Sequence, residues 1–204
     1  MAETTTPVRV LLMDADGVVQ YPRPGWLKDM AALGGPGFIP EVFRRELTTL
    51  TGKVDLREVL TEVLERRGRS CSADDVLAIW FRIELDELML GMVDRVRAAG
   101  VLTALATNQQ SYRGTWMRAN LPYDEHFDHQ FHSFELGVAK PDPAFFTHIL
   151  DSLGVTAGET VFVDDVLANV RGARAAGINA VHFGTSDTYG ELRCQLRALG
   201  VPGL

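Results

Sequence analysis

The sequence predicts an α/β fold, a doubly wound parallel sheet into which a helical insertion is placed after the first strand. Three observations carry this. Short apolar runs recur without polar alternation, as in strands covered on both faces. Amphipathic stretches of helical period lie between them, and strand alternating with helix is the signature of a parallel sheet. From residue 20 to residue 90 the alternation stops and helix-like pattern alone remains.

Taken in order, Val8 to Met13 reads as a central strand. The insertion follows, with helix-like pattern in PEVFRRELTTL (40–50), DLREVLTEVLERRG (55–68) and SADDVLAIWFRIELDEL (72–88). Leu56, Val59, Leu60, Val63 and Leu64 form one apolar face, and Ser72 before Asp74-Asp75 marks a helix start. The junctions fall near Val18–Tyr21 and Leu90–Gly91, which assigns residues 1–19 and 91–204 to the core and 20–90 to a cap over the sheet. The core resumes with a helix at 92–99 and strands at 101–107, 160–165 and 179–183. Further helices are expected at 143–153, 166–176 and 189–199. Asp142-Pro143 supplies an N-cap and a first-turn proline, and Gly200 and Pro202 suit the stop of the last helix. FDHQFHS (127–133) reads as a partly exposed edge strand.

With 46% hydrophobic and 23% charged residues, the 204-residue chain can bury a core without disulfides or structural metal. Its net charge of −7 argues against general nucleic-acid binding but not against a small anionic substrate. Cys71 and Cys194 lack the spacing of a zinc ribbon or redox pair, consistent with a reducing cytoplasm. MAETTTP has no signal-peptide pattern and reads as a frayed tail. No apolar stretch is long enough to span a bilayer, so membrane and nucleic-acid partners are not expected.

Ligands of open parallel sheets bind beyond the carboxyl ends of the strands. Standing there are Asp14 and Asp16, Thr107 and Asn108, Asp164 and Asp165, with Lys140 in the loop before the helix at 143. Each has a bland reading in isolation: DADG as a turn, Thr107-Asn108 as an N-cap, Asp164-Asp165 at a helix's positive end, Lys140 as a surface lysine.

Together, LLMDADGV, ALATN, GVAKPDP and VFVDDVLAN resemble the ordered motifs of the haloacid-dehalogenase-like (HAD) hydrolase superfamily, over about Val8 to Phe183. The insertion resembles that family's C1-type helical cap, and the core its Rossmann-like sheet. Asp164-Asp165 with Asn169 resembles the subgroup that includes sugar-phosphate phosphatases and the phosphatase domain of soluble epoxide hydrolase. The resemblance implies a magnesium ion, Mg2+, held by the Asp14 side chain, the Asp16 main-chain oxygen and the Asp165 side chain, with Asp164 helping through water. It implies hydrolysis of a small phosphate monoester, a sugar phosphate or similar metabolite, through an aspartyl phosphate on Asp14. Asp16 would serve as acid and base, Lys140 as a charge beside the phosphoryl group.

Physical chemistry points the same way. Carboxylates about 4 Å apart at an effective dielectric of about 20 repel by roughly 4 kcal/mol a pair. A hard divalent cation relieves that repulsion. Thr107 and the amides after it can then cradle phosphate oxygens. Asn169, four residues after Asp165, would project on a helix from the same face, toward the metal.

Asp16 disfavours a true dehalogenase, whose first motif usually lacks the second aspartate. A phosphomutase keeps both and stays open. A receiver module places its acidic pair and phosphoacceptor in another order, and a non-catalytic phospho-ligand binder would show no turnover. His129 and His132 differ by an odd number and face opposite sides of a strand, so with His126 they do not form a zinc site. Trp26, Trp80 and Trp116 are expected in packing; Tyr21, Arg23, Trp26 and Lys53 are candidates for substrate contact from the cap.

Overall fold

The computed structural model describes residues 7–204; the frayed tail expected at the N-terminus lies largely outside them. In chain order the elements are β1 (Val10–Met13), β2 (Gln20–Pro22), α1 (Trp26–Gly34), α2 (Phe38–Glu46), α3 (Leu56–Arg66), α4 (Ala73–Trp80), β3 (Ile83–Leu85) and α5 (Glu87–Ala98). Then follow β4 (Leu102–Thr107), α6 (Ser111–Asn120), α7 (Tyr123–His126), β5 (His129–His132), α8 (Ser133–Leu136), α9 (Pro143–Leu153), β6 (Thr160–Asp164), α10 (Leu167–Ala175), β7 (Asn179–His182) and α11 (Tyr189–Ala198).

The main sheet has the order β5-β4-β1-β6-β7, every pair parallel. β1 is central and all of it is buried, which explains its unbroken apolar run. The two-residue side-chain period of a strand sorts it between two layers. Leu11 and Met13 pack with Met92, Val93 and Val96 of α5 and Leu192 and Leu196 of α11. Val10 and Leu12 pack on the other face with Phe145, Phe146 and Ile149 of α9 and Val170 of α10. Burial of a side chain of this kind is worth about 1.5–3 kcal/mol.

A third cluster stands apart from both, its buried members all from the insertion, Met30, Phe38, Val42, Leu60, Val63 and Val76 among them, with Tyr112 of α6 packed against it. The apolar face expected on α3 is buried in it. Ser72 caps α4 through a box with Asp75, and Asp142 caps α9 ahead of Pro143.

The insertion differs from the all-helical expectation. The stretch 72–88 is not one helix: α4 ends at Trp80, β3 follows, and Asp86 caps the new helix α5 by accepting from the Met89 amide. β3 pairs antiparallel with β2, Gln20 opposite Leu85 and Pro22 opposite Ile83. These strands are three residues long, too short for period-2 alternation to register. The fifth sheet strand, β5, is an edge strand whose second half, Phe131 and His132, is buried. Among the described residues, no helix is long and apolar enough to cross a membrane.

Candidate active site

β1, β4 and β6 are parallel neighbours, so their carboxyl ends lie side by side, and the chain leaves each with a polar residue. Asp14 follows β1, Thr107 ends β4 and Asp164 ends β6. Across this edge Lys140 reaches in from the loop before α9. Its Nζ donates to Asp14 Oδ1 at 2.7 Å, to Asp164 Oδ2 at 2.7 Å and to the Ala106 carbonyl at 2.8 Å. The ammonium has three donors, and all are engaged. Burial pulls the Lys140 ammonium down, but Asp14 and Asp164 outweigh it and hold it above its ordinary value.

Asp164 is fully buried and saturated. Its Oδ1 accepts from the Val166 amide at 2.8 Å and from Asn169 Nδ2 at 3.0 Å. Asn169 lines the cavity and supports Asp164, but helical spacing from Asp165 is not what places it, because α10 begins at Leu167 and Asp165 lies before it. Asn108 is likewise engaged, its side chain bridging both backbone polar groups of Lys140 at 2.9 Å. That pair fixes the loop which carries the lysine.

One carboxylate oxygen each from Asp14, Asp164 and Asp165 lies within 4.8 Å of the others. Burial pushes the Asp14 carboxyl up to about 7, Lys140 opposing and Asp164 adding to the rise. Burial and Asp164 likewise raise Asp165, against Lys140. A single lysine leaves this group short of positive charge. An oxygen-only donor set with surplus negative charge suits a hard divalent cation, so the residues fit the metal. Gly17 makes room for the Asp165 carboxylate. At φ +82° it lies against Asp165, and a Cβ there would come within 2.3 Å of Asp165 Oδ2.

Asp16 turns away from this group. Arg113 of α6 grips both its oxygens, Nη2 donating to Oδ1 at 2.7 Å, while Gln109 Nε2 donates to Oδ2 at 2.7 Å and Gln20 Nε2 to Oδ1 at 3.0 Å. Gln20 also accepts from the buried Tyr123 hydroxyl. Burial raises the Asp16 carboxyl, but Arg113 and these hydrogen bonds prevail and hold it below the usual range. Arg113 Nε donates to the Trp80 carbonyl at 3.0 Å, which ties the insertion to Asp16.

A cavity of about 420 Å³ opens between this edge and the insertion. Asp14, Asp16, Thr107, Asn108, Lys140 and Asp165 form its floor. Glu46, at the end of α2, faces it from above; burial pushes its carboxyl up to about 7, Arg113 opposing. Of the cap candidates, Trp26 lines the cavity, while Tyr21, Arg23 and Lys53 do not. Tyr21 donates to the Gly17 carbonyl and Arg23 to that of Ile83. Trp116 stacks on Phe81 at 5.2 Å. The histidines part company: His126 meets Asp94, His129 is exposed, and His132 is buried and kept neutral, pushed down to about 3.

Arg113, Gln109, Gln20 and Glu46 are absent from the sequence-based candidates. Gln109 and Arg113 carry a weak signal, since both follow closely on the strand end at Thr107, Gln109 just ahead of α6 and Arg113 in its first turn. Gln20 stands only four residues after Asp16, but it lies in a three-residue strand and its other partner, Tyr123, is remote; Glu46 carries no signal, because Arg113 is remote in the chain.

Similarity to known proteins bears on the same region. The chain is 34% identical over 110 residues to the sesquiterpene phosphatase astK of Aspergillus oryzae, covering 53% of this chain and 56% of that protein. It is 33% identical over 165 residues to the phosphoserine phosphatase of Thermus thermophilus, covering 79% of this chain and 60% of that protein. The chain therefore spans less than two thirds of the length of these curated relatives. Among solved structures, a HAD family enzyme from Bacteroides thetaiotaomicron, crystallised as an aspartate-to-alanine mutant with magnesium and inorganic phosphate, superposes with a TM-score of 0.78 at 22% identity. The match covers 91% of this chain and 98% of that one. The sequence profile described as haloacid dehalogenase-like hydrolase matches residues 8–177, and the chain belongs to that family.

Proposed function

We propose that this hydrolase is a magnesium-dependent phosphatase that cleaves small phosphate monoesters through an aspartyl phosphate on Asp14. The observation that carries the reading is the convergence of Asp14, Asp164 and Asp165 oxygens around Lys140 at the strand ends. The magnesium and phosphate of the Bacteroides enzyme and the names of the phosphatase relatives support it. Residues 20–90 act as the cap over a core of 1–19 and 91–204.

Asp14, the Asp16 main-chain oxygen and Asp165 would hold the ion, with Asp164 behind them through water. When bound, it draws charge from the phosphoryl oxygens. Lys140 keeps Asp14 oriented and adds positive charge beside the phosphoryl group. Thr107 and the amides that follow it receive the phosphate oxygens. Asp14 attacks phosphorus: a carboxylate O–P bond forms, the ester P–O bond breaks, and the alcohol departs with a proton. Water then attacks the aspartyl phosphate, giving up a proton, and phosphate leaves with Asp14 restored.

Asp16 is the proposed acid and base. Its clamp favours the ionised form, which suits it to accept the proton of the attacking water. Donating to the departing alcohol requires it to turn from Arg113.

The test is release of p-nitrophenolate from p-nitrophenyl phosphate with magnesium. Chelation should stop it, and Asp14→Asn should lower it by roughly 10⁴-fold or more while the thermal transition persists. Full turnover in either case overturns the reading. A hexose phosphate returned as its isomer, without free phosphate, would instead identify a mutase.

A further inference from the structure

The cavity over the carboxylates has two unlike ends, and the contrast bears on which alcohol the phosphate is attached to. On the core side the polar side chains around the floor are already engaged with one another. Arg113 uses its nitrogens on Asp16, Gln109 and the Trp80 carbonyl. Gln109 donates to Asp16 and Thr107 and accepts from Arg113. Asn108 is closed on Lys140, and Asn169 on Asp164. What remains there is arranged for a phosphoryl group.

On the cap side the wall is Trp26, Phe43, Leu47, Leu50, Ile79 and Trp80. Trp26 stacks on Phe43 with centroids 5.7 Å apart, and Phe43 meets Trp80 edge-on at 6.3 Å. These rings form one continuous aromatic surface. Leu47 stands at the rim with 66% of its surface exposed, a large aliphatic side chain left facing solvent beside the cavity. Glu46 is the only charged or amide side chain that the insertion contributes to the lining.

A sugar brings several hydroxyls, and each one taken from water without a partner weakens binding. Beyond Glu46 and the indole N–H groups of Trp26 and Trp80, this wall offers no polar side chain to partner them. It matches instead a ligand whose far end is hydrocarbon, and about 420 Å³ is within the usual range of ligand pockets. Building on the phosphatase reading, we infer that the substrate is the phosphate monoester of a hydrophobic alcohol, aliphatic or aromatic, with its hydrocarbon against the Trp26–Phe43–Trp80 surface.

The test measures kcat/KM, with magnesium, for n-alkyl phosphates from ethyl to octyl, for glucose 6-phosphate and for p-nitrophenyl phosphate. For the wild-type chain kcat/KM should rise about three- to fourfold per added methylene until the cavity fills. Glucose 6-phosphate should fall at or below ethyl phosphate. Leu47→Gln replaces an exposed side chain, so folding is retained, as its thermal transition will show. In that variant the rise with chain length should flatten. A level or falling series, or glucose 6-phosphate ahead of octyl phosphate, overturns the inference and leaves the phosphatase intact. Failure to cleave any ester, p-nitrophenyl phosphate included, overturns the phosphatase reading on which it rests.

Discussion

The two acidic pairs of the site look alike in the sequence and are handled differently by the fold. At the end of β1, Asp14 faces Lys140, while Asp16, two residues on, turns to Arg113 on α6. At the end of β6, Asp164 faces the same lysine and is closed by Val166 and Asn169, while Asp165 is left open toward Asp14. The lysine therefore joins the first members of both pairs, and the second members diverge. One is locked by a guanidinium and kept ionised. The other is raised and unpaired, ready for a cation. A carboxylate's neighbours, not its place in a motif, decide its role.

Exchanging charges one at a time sharpens this contrast. Asp165→Asn should leave the thermal transition nearly unmoved and weaken magnesium binding, followed calorimetrically, by roughly 100-fold. Asp164→Asn should do the reverse in stability, costing about 3 kcal/mol in denaturant titrations because buried Lys140 loses a partner. Equal effects from the two would erase the distinction.

At the other pair, Arg113→Met frees Asp16. A general base is worth about 10² to 10⁴ in rate, so steady-state turnover should drop at least tenfold. It should also show a burst of p-nitrophenolate equal to the enzyme, as the aspartyl phosphate accumulates. A fall in melting temperature with no burst would make Arg113 structural only.

Stability should also depend on pH. Asp14 is raised from 3.8 to about 7 in the metal-free fold. The folded chain then holds this proton more tightly than the unfolded one. The stabilisation is complete below pH 3.8 and is lost as pH rises through about 7. With chelator present, the melting temperature should fall between pH 5 and pH 8. Asp14→Asn should shrink that fall, and Glu46, raised in the same direction, should supply the remainder. An unchanged slope in the variant would separate Asp14 from the effect.

What could be foreseen follows from where the determinants lie along the chain. Asp14, Thr107 and Asp164 stand at strand ends and Lys140 in the loop between α8 and α9, so local pattern and sheet topology bring them together. The helical nature of 38–80 is legible from the face of α3 and the cap of α4. The Asp16 clamp is not, since Arg113 and Asp16 are 97 residues apart and nothing in either segment names the other. The aromatic wall is hidden for a similar reason. Trp26, Phe43 and Trp80 belong to three helices of the insertion, and each reads equally well as core. The β2–β3 ribbon was invisible because three residues cannot establish a period.

That ribbon draws the outgoing and returning strands of the chain together. Gln20 lies opposite Leu85 and Asp86 donates its amide to Val19, so the chain departs and returns through adjacent points. The excursion between them closes on itself, and the parallel sheet need not register how many residues it contains. A short hairpin joining Pro22 to Ile83 would bridge the same gap. Such a change would remove the aromatic wall of the cavity while leaving the five parallel strands and the carboxylates at their ends in place.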